Sequence, residues 1–185
     1  MEILIVVDMQ NDFVDGSLGT KEAQEIVSSV VEKVVGRVVE GMNRGEEILF
    51  TRDTHEANYL STQEGKKLPV PHCIRGTEGW EIIDQLREDA RHPIDKPAFA
   101  SRYLGALLKA RDEDLHKQGK PGVEKVTFIG LCTDICVISN ALLIKAFLPE
   151  AEIVVDARCC AGVTPESHRN ALEAMKMCQI TVEND

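Results

Sequence analysis

Apolar runs that stop abruptly at a polar residue constrain the fold of this chain more than any other feature. The run Glu2–Val7 is apolar at almost every position and stops at Asp8. This pattern is typical of a strand that is buried on both faces of a parallel sheet. Similar runs predict further strands at Glu47–Thr51, around Ile94 and into Lys96, and at Val126–Leu131, Ile153–Val155 and Gln179–Val182.

Helical segments separate these runs. Thr20 is placed to cap a helix in which valine and isoleucine recur every four residues and which ends before Gly45. Valine prefers strands, yet a period kept over this length indicates a helix. Further helices are predicted at Trp80–Ala90, Ser101–Gln118, Thr133–Phe147 and Pro165–Cys178. The alternation predicts a three-layer α/β/α fold with a central, mainly parallel sheet of about six strands. We expect one domain over residues 1–185.

The charge balance and the cysteines restrict the partners and the compartment. The chain has 31 acidic residues against 21 lysines and arginines, a formal net charge of −10. Such a field repels nucleic acid and anionic membranes, so neither is an expected partner. No apolar run approaches the ~20 residues that cross a bilayer, and Asp8 comes too early for a signal peptide. We therefore expect a cytoplasmic protein whose six cysteines are thiols or ligands. No glycine-rich phosphate loop is present, so no nucleotide cofactor is expected.

Ligands of parallel α/β sheets bind beyond the carboxyl ends of the strands, so the residues after each strand are candidate site residues. Cys136 falls in the first turn of a predicted helix, where the positive helix end lowers a thiol pKa and backbone amides can hold an oxyanion. Asp8 is then a candidate base and Lys96 its charge partner. The alternative is that Cys136 is a structural thiol, Asp8 a solvated strand end and Lys96 a surface lysine.

A second group of polar residues surrounds the segment from position 53 to 73. Asp53 and His55 follow a predicted strand, and Glu64 and His72 come later in a polar loop. Two imidazoles with one or two carboxylates suit Zn²⁺, Mn²⁺ or Fe²⁺ with an open position for water. An exposed polar loop without a metal explains the same residues equally well.

Several motifs, in order along nearly the whole chain, resemble one family. Val6–Phe13 is similar to the opening motif of the isochorismatase-like cysteine hydrolases, and Gly130–Val137 to their nucleophile motif G-x-x-T-D-x-C-V. Lys96 lies between them, where that family keeps its lysine. Within the family, Asp53-x-His55 with the later Pro71-His72-Cys73 resembles the nicotinamidase branch. The resemblance implies the same Rossmann-type α/β fold.

The resemblance also implies a reaction, the conversion of nicotinamide to nicotinic acid and ammonia through a cysteine thioester. Cys136 would be the nucleophile, Asp8 the general acid/base and Lys96 its charge partner. The backbone amides of Cys132 and Cys136 would form the oxyanion hole, beside a cis peptide bond between Leu131 and Cys132. A different small amide or an N-carbamoyl compound is the alternative substrate. A non-catalytic metal-binding or redox-sensing protein is the alternative function.

A metal, a substrate pocket and an assembly are implied in the same way. One divalent metal, with Zn²⁺ preferred over Mn²⁺ and Fe²⁺, would bind Asp53, His55, Glu64 and His72. It would hold the pyridine nitrogen of the substrate. A homo-oligomer, dimer or tetramer, is expected from the family alone.

Phe13, Leu131 and Cys132 would contact the substrate. Many nicotinamidases carry an aromatic residue shortly before the metal-binding histidine, whereas this chain has Leu68–Pro71 there. We therefore expect one pocket wall to be aliphatic or supplied by another segment. The segment from Lys96 to Ser101 also departs from the usual pattern of the family.

Overall fold

The structure is a computed structural model that describes residues 1–41 and 47–185. Its strands are β1 (Glu2–Val7), β2 (Glu47–Asp53), β3 (Ile94–Lys96), β4 (Lys125–Leu131), β5 (Glu152–Ala161) and β6 (Thr181–Glu183). Among the described residues they form a six-stranded sheet in the order β3-β2-β1-β4-β5-β6, and every neighbouring pair is parallel. The predicted α/β fold with a central parallel sheet is therefore confirmed.

Helices cover both faces of the sheet. They are α1 (Asn11–Val14), α2 (Lys21–Glu25), α3 (Val27–Gly41), α4 (Gln63–Lys67), α5 (Arg102–Lys117), α6 (Ile138–Phe147) and α7 (Pro165–Met177). Thr20 caps α2, because its side-chain oxygen accepts a hydrogen bond from the Ala23 amide at 3.0 Å. The helix predicted after Thr20 is divided at Ile26, where α2 ends and α3 begins. Its predicted end before Gly45 lies outside the described residues. Within the described part of the chain, no helix has both the length and the apolar character needed to cross a membrane.

The position of β1 explains why its sequence is continuously apolar. It is the third strand of six, and its residues from Ile3 to Val7 are fully buried. Ile3, Ile5 and Val7 pack in the cluster that contains residues of α5, α6 and α7. Leu4 and Val6 pack in the opposite cluster, which contains residues of α3. A strand between two helical layers has no wet face, so every position is apolar.

The helix predicted over Trp80–Ala90 is wrong. The segment forms only two single turns of 3₁₀ helix, Glu78–Trp80 and Asp84–Leu86. Between them its backbone bonds to the segment after β1: the Asn11 amide donates to the Glu81 carbonyl at 3.0 Å, and the Ile83 amide donates to the Met9 carbonyl at 3.0 Å. Backbone groups that bond to another segment are lost to an α-helix, and a helical period in the sequence does not reveal this.

The extent of β5 also differs from the prediction. β5 extends well beyond Ile153–Val155, through the charged residue Arg158 to Ala161. Its pairing with β4 changes register between Phe128 and Gly130, which lets the strand continue. Gly130 has a φ of +110°, and a Cβ there would lie 2.1 Å from the Val7 carbonyl oxygen, so only glycine fits beside β1.

Candidate active site and metal centre

The carboxyl ends of four neighbouring strands bring the predicted site residues to one edge of the sheet. Asp8 follows β1, Asp53 ends β2, Lys96 ends β3 and Cys132 follows β4. Asp8 has a φ of 47°, a left-handed conformation that aspartate tolerates better than most residues. Its side chain is held by Thr51, whose hydroxyl donates to Asp8 Oδ1 at 2.8 Å. The strand order therefore places acidic, basic and thiol groups together.

Lys96 is the centre of this group. Its Nζ lies 2.7 Å from Asp8 Oδ2, 3.3 Å from Cys136 Sγ and 3.3 Å from Asp53 Oδ1. It also donates to the Ala98 carbonyl at 3.2 Å. Lys96 and Asp8 are 0% exposed and Cys136 is 4% exposed. A lysine is almost never buried unless it is paired, and here the ammonium is surrounded by acceptors.

Burial and charge move the pKa values of these groups in directions that fit proton transfer. Burial opposes the charged form of Lys96, yet the carboxylates of Asp8 and Asp53 raise its pKa well above the ordinary value, so it stays an ammonium. Burial raises the pKa of Asp8, and Lys96 only partly offsets this. A carboxylate with a raised pKa is a better proton acceptor than an ordinary aspartate.

The Cys136 thiol differs from the expectation based on its place in the chain. The positive end of a helix predicts a lowered pKa, but burial raises the pKa of Cys136 well above the ordinary value, against the opposing effect of Lys96. The nearby carboxylates of Asp8 and Asp53 raise it further. The resting thiol is therefore neutral, and it needs a base to become a nucleophile.

A π-helical turn, Thr133–Val137, carries the nucleophile candidate between β4 and α6. The Cys132 carbonyl accepts hydrogen bonds from the amides of Ile135 at 3.1 Å and Val137 at 3.0 Å. The peptide bond between Leu131 and Cys132 is cis, as the family resemblance implies. Single π turns occur frequently at functional sites.

The four candidate metal ligands also converge. One atom from each of Asp53, His55, Glu64 and His72 lies within 4.8 Å of the others. His55 Nε2 is 3.1 Å from Asp53 Oδ2 and 3.5 Å from Glu64 Oε1. His72 turns its Nε2 towards the same point, 3.7 Å from Asp53 Oδ2, because its Nδ1 bonds to the Val70 carbonyl at 2.9 Å.

The donor set fits a divalent metal. His55 Nε2 is a buried polar atom without a hydrogen-bond partner among the described residues, and it faces this group of ligands. Two imidazoles and two carboxylates are ligands that Zn²⁺ and related ions accept. The pKa of Asp53 is lowered, because the adjacent imidazoles of His55 and His72 and the charge of Lys96 outweigh the effect of burial. Asp53 is therefore ionised and ready to bind a cation.

Asp53 joins the two groups, a link that the sequence analysis does not predict. Its Oδ1 faces Lys96 and its Oδ2 faces the histidines. Gln10 fixes the backbone of Asp53, since the Asp53 amide donates to Gln10 Oε1 at 2.7 Å and Gln10 Nε2 donates to the Asp53 carbonyl at 2.9 Å. The signal that the sequence contains for this support is Gln10 itself, a polar residue two positions after Asp8 at the end of a predicted strand.

A cavity of about 370 Å³ opens onto both groups. Its apolar lining residues are Phe13, Leu18, Leu68, Ala98, Phe99 and Ile135, and the sulfur-bearing residues Cys132 and Cys136 also line it. Both alternatives for the missing aromatic wall are present, because Leu68 supplies an aliphatic surface and Phe99, 45% exposed, an aromatic one. Leu131, the third predicted substrate contact, is the last residue of β4. Its side chain is fully buried in the core cluster that contains Leu4 and Val6, and it is not among the residues that line this cavity.

The fold and this geometry define an α/β protein with a buried cysteine, lysine and carboxylate site next to a candidate metal centre. The chain belongs to the isochorismatase family, whose domain matches residues 2–184. A nicotinamidase of Saccharomyces cerevisiae is 25% identical over 98% of this chain and 99% of its own length. The nicotinamidase/pyrazinamidase PncA structure of Bacillus subtilis aligns with a TM-score of 0.77 at 26% identity over 99% of both chains. A pyrazinamidase of Pyrococcus horikoshii in complex with zinc aligns with a TM-score of 0.74 at 31% identity, over 98% of this chain and 97% of that one.

Proposed function

We propose that this protein is a cysteine amidohydrolase that converts nicotinamide to nicotinic acid and ammonia. The observation that carries the proposal is the placement of one ammonium, Lys96 Nζ, within 3.3 Å of Cys136 Sγ and 2.7 Å of Asp8 Oδ2 beside a cavity of about 370 Å³. Relatives named nicotinamidase that match nearly the full chain support the choice of substrate.

The neutral thiol and the buried carboxylate set the order of the chemical steps. Asp8 accepts the thiol proton as Cys136 Sγ attacks the carboxamide carbon, and Lys96 balances the charge that remains. The tetrahedral intermediate collapses, the C–N bond breaks, and ammonia leaves with the proton from Asp8. Water, deprotonated by Asp8, then attacks the thioester and releases nicotinic acid and the Cys136 thiol.

We also propose that the backbone amides of Cys132 and Cys136 hold the oxyanion. Both residues line the cavity, with Cys136 inside the π turn and Cys132 directly before it, which makes their amides the candidates for this role. Donors fixed in place before the reaction stabilise the developing charge more than mobile water does. Phe13 and Cys132 would contact the substrate from the cavity wall.

Asp53, His55, Glu64 and His72 would hold one divalent metal, and we propose Zn²⁺ before Mn²⁺ or Fe²⁺. When bound, the metal would fix the substrate ring through its pyridine nitrogen. Asp53 keeps one oxygen for Lys96 while the other faces the histidines. One carboxylate would thereby connect the metal ligands to the Lys96 ammonium, which in turn contacts Cys136 Sγ.

Leu68 favours a second candidate, a small amide or N-carbamoyl compound without an aromatic ring. An aliphatic wall accepts a substrate that has no aromatic ring, whereas Phe99 offers a surface on which an aromatic ring can stack. A panel of nicotinamide, pyrazinamide, N-carbamoyl amino acids and aliphatic amides separates the two candidates by ammonia release. We expect nicotinamide to be the best substrate of the zinc-loaded enzyme. Turnover of only aliphatic or carbamoyl substrates would replace nicotinamide and keep the chemistry.

Cys136→Ala tests the chemistry itself. We expect this variant to lose essentially all turnover while it keeps its zinc, because the four metal ligands are untouched. Cys159→Ala, at a buried thiol of β5, is the matched control and should retain turnover. A wild-type protein that binds zinc but hydrolyses no member of the panel would instead support the non-catalytic metal-binding or redox-sensing alternative.

We further propose that residues 1–185 act as one domain in the cytoplasm and assemble into a dimer or tetramer. All six cysteines are free thiols, which is usual in a reducing compartment. The assembly rests on the family resemblance, and light scattering during size-exclusion chromatography measures it directly.

A further inference from the structure

Asn140 is a buried polar residue that the proposed chemistry does not use. It lies in the first turn of α6 and is 0% exposed. Asparagine is a poor helix former, and burying its amide is costly unless every polar atom finds a partner. The presence of asparagine at this fully buried position is therefore explained by contacts outside the helix.

The reason is a set of three hydrogen bonds to backbone groups. The Asn140 Nδ2 donates to the carbonyl of Cys136 at 2.7 Å and to the carbonyl of Phe99 at 3.0 Å. Its Oδ1 accepts a hydrogen bond from the Ser101 amide at 2.9 Å. One side chain therefore joins the nucleophile candidate to the segment that connects β3 to α5.

That connecting segment supports two parts of the site. The Ala98 carbonyl accepts a hydrogen bond from Lys96 Nζ at 3.2 Å, and the Phe99 side chain lines the cavity. At its far end, the Ser101 hydroxyl oxygen caps α5 by accepting from the Leu104 amide at 3.1 Å. A shift of this segment would move an acceptor of the Lys96 ammonium and a wall of the pocket together.

We propose that Asn140 is a positioning residue, which fixes the Lys96 ammonium and the Phe99 wall relative to the Cys136 sulfur. The proposal rests on the function proposed above. Asn140 acts through Cys136, Phe99 and Ser101, and it does not itself line the cavity. Through these hydrogen bonds Asn140 holds the segment from Lys96 to Ser101 against the turn that carries Cys136.

Two variants distinguish the hydrogen bonds to Phe99 and Ser101 from the hydrogen bond within the helical region, to Cys136. Asn140→Ala removes all three hydrogen bonds. Asn140→Thr keeps a hydroxyl that can bond to the Cys136 carbonyl four residues earlier, as threonine does within helices, but is too short to bond to both Phe99 and Ser101. Ile144→Val is the control for lost stability. Ile144 is a fully buried residue of the same helix, and its apolar side chain makes no hydrogen bond. Asn170→Ala, at an exposed position of α7, controls for the loss of an asparagine from a helix.

The readouts are the turnover number, the KM, the urea midpoint and the alkylation rate of Cys136 by iodoacetamide, measured on its own peptide by mass spectrometry. We expect both Asn140 variants to lower turnover and Cys136 alkylation by about 10- to 100-fold, as small displacements of reacting groups do. Ile144→Val and Asn170→Ala should change both by less than about twofold, although Ile144→Val lowers the urea midpoint. Kinetic losses that simply follow the urea midpoint across all four variants would overturn the proposal.

A double-mutant cycle with Phe99→Ala tests the link to the pocket wall. If Asn140 holds Phe99 in place, Phe99→Ala raises KM in the wild-type chain but raises it much less in Asn140→Thr. Additive effects would contradict a shared action. The alkylation rate needs no substrate, so failure of nicotinamide as a substrate and failure of the Asn140 proposal give different results.

Discussion

At the scale of single residues, Lys96 is the group on which the site most depends. Its ammonium is the shared counter-ion of Asp8 and Asp53, and all three side chains are almost completely removed from water. Removing one partner of a buried ion pair is far more costly than the pair itself is worth, because the remaining charge has no solvent. The contribution of Lys96 is therefore measurable as stability as well as activity.

We expect Lys96→Met to abolish turnover and to lower the free energy of unfolding by about 3–5 kcal/mol, since two carboxylates are left facing each other. Adding Asp8→Asn should recover part of that stability without recovering turnover. Urea denaturation at pH 7 measures both changes, and Lys66→Met, at an exposed position of α4, is the control. A Lys96→Met protein as stable as the control would show that the buried carboxylates do not need the ammonium.

At the scale of elements, Asp156 ties β5 to α3 and to the residues after β6. Its Oδ2 accepts from Lys33 Nζ at 2.8 Å and its Oδ1 from Asn184 Nδ2 at 2.8 Å. Burial alone would raise the pKa of Asp156, but Lys33 and Asn184 outweigh it and lower the pKa below the ordinary 3.8. The folded state therefore holds its proton less tightly than the unfolded state does. The stabilisation is fully present above pH 3.8, and it is lost as the pH falls through the lowered pKa that Asp156 has in the folded state.

Asp156→Asn should remove this contribution, which we expect to be about 1–3 kcal/mol at pH 7 for hydrogen bonds to a buried charge. The difference from wild type should shrink as the pH drops below 3.8, because the wild-type carboxylate then takes up its proton. Urea midpoints at pH 7, 5 and 3 measure it. Glu152→Gln, at the exposed start of β5, should change stability by less than about 1 kcal/mol. A difference for Asp156→Asn that stays constant with pH would contradict the assigned charge effect.

The elements also show where sequence patterns suffice and where they do not. β1 was predictable because a strand in the middle of the sheet is apolar at every position, and the strand ends then located Asp8 and Lys96. The structure of the segment Trp80–Ala90 was not predictable. Its backbone forms hydrogen bonds with residues about 70 positions away, and the local period of the sequence carries no information about them. The role of Asn140 was not predictable for the same reason, since its hydrogen-bond partners Phe99 and Ser101 lie on another segment.

At the scale of the whole molecule, the candidate metal centre couples the sheet to the long segment after β2. Asp53 ends that strand, Glu64 lies on α4, and His72 follows before the chain returns to the core at Cys73. The Cys73 carbonyl accepts from the His55 amide at 2.9 Å, and the Cys73 amide donates to Asp12 Oδ2 at 2.7 Å. A metal held by these ligands closes the segment onto the sheet edge. An ion that binds only this closed arrangement must stabilise the entire folded state.

We therefore expect chelation of the zinc-loaded protein to lower its melting temperature, by an amount that corresponds to about 2.7 kcal/mol when free zinc is 100 times its Kd. His72→Ala, which removes one ligand, should bind zinc more weakly and lose most of that stabilisation. His92→Ala, at an exposed histidine outside the group, should keep all of it. Calorimetry with and without chelator measures the shift, and zinc analysis measures occupancy. Equal zinc-dependent shifts in all three proteins would mean that the ion binds elsewhere, and the loop would then need another explanation for two buried histidines facing two carboxylates.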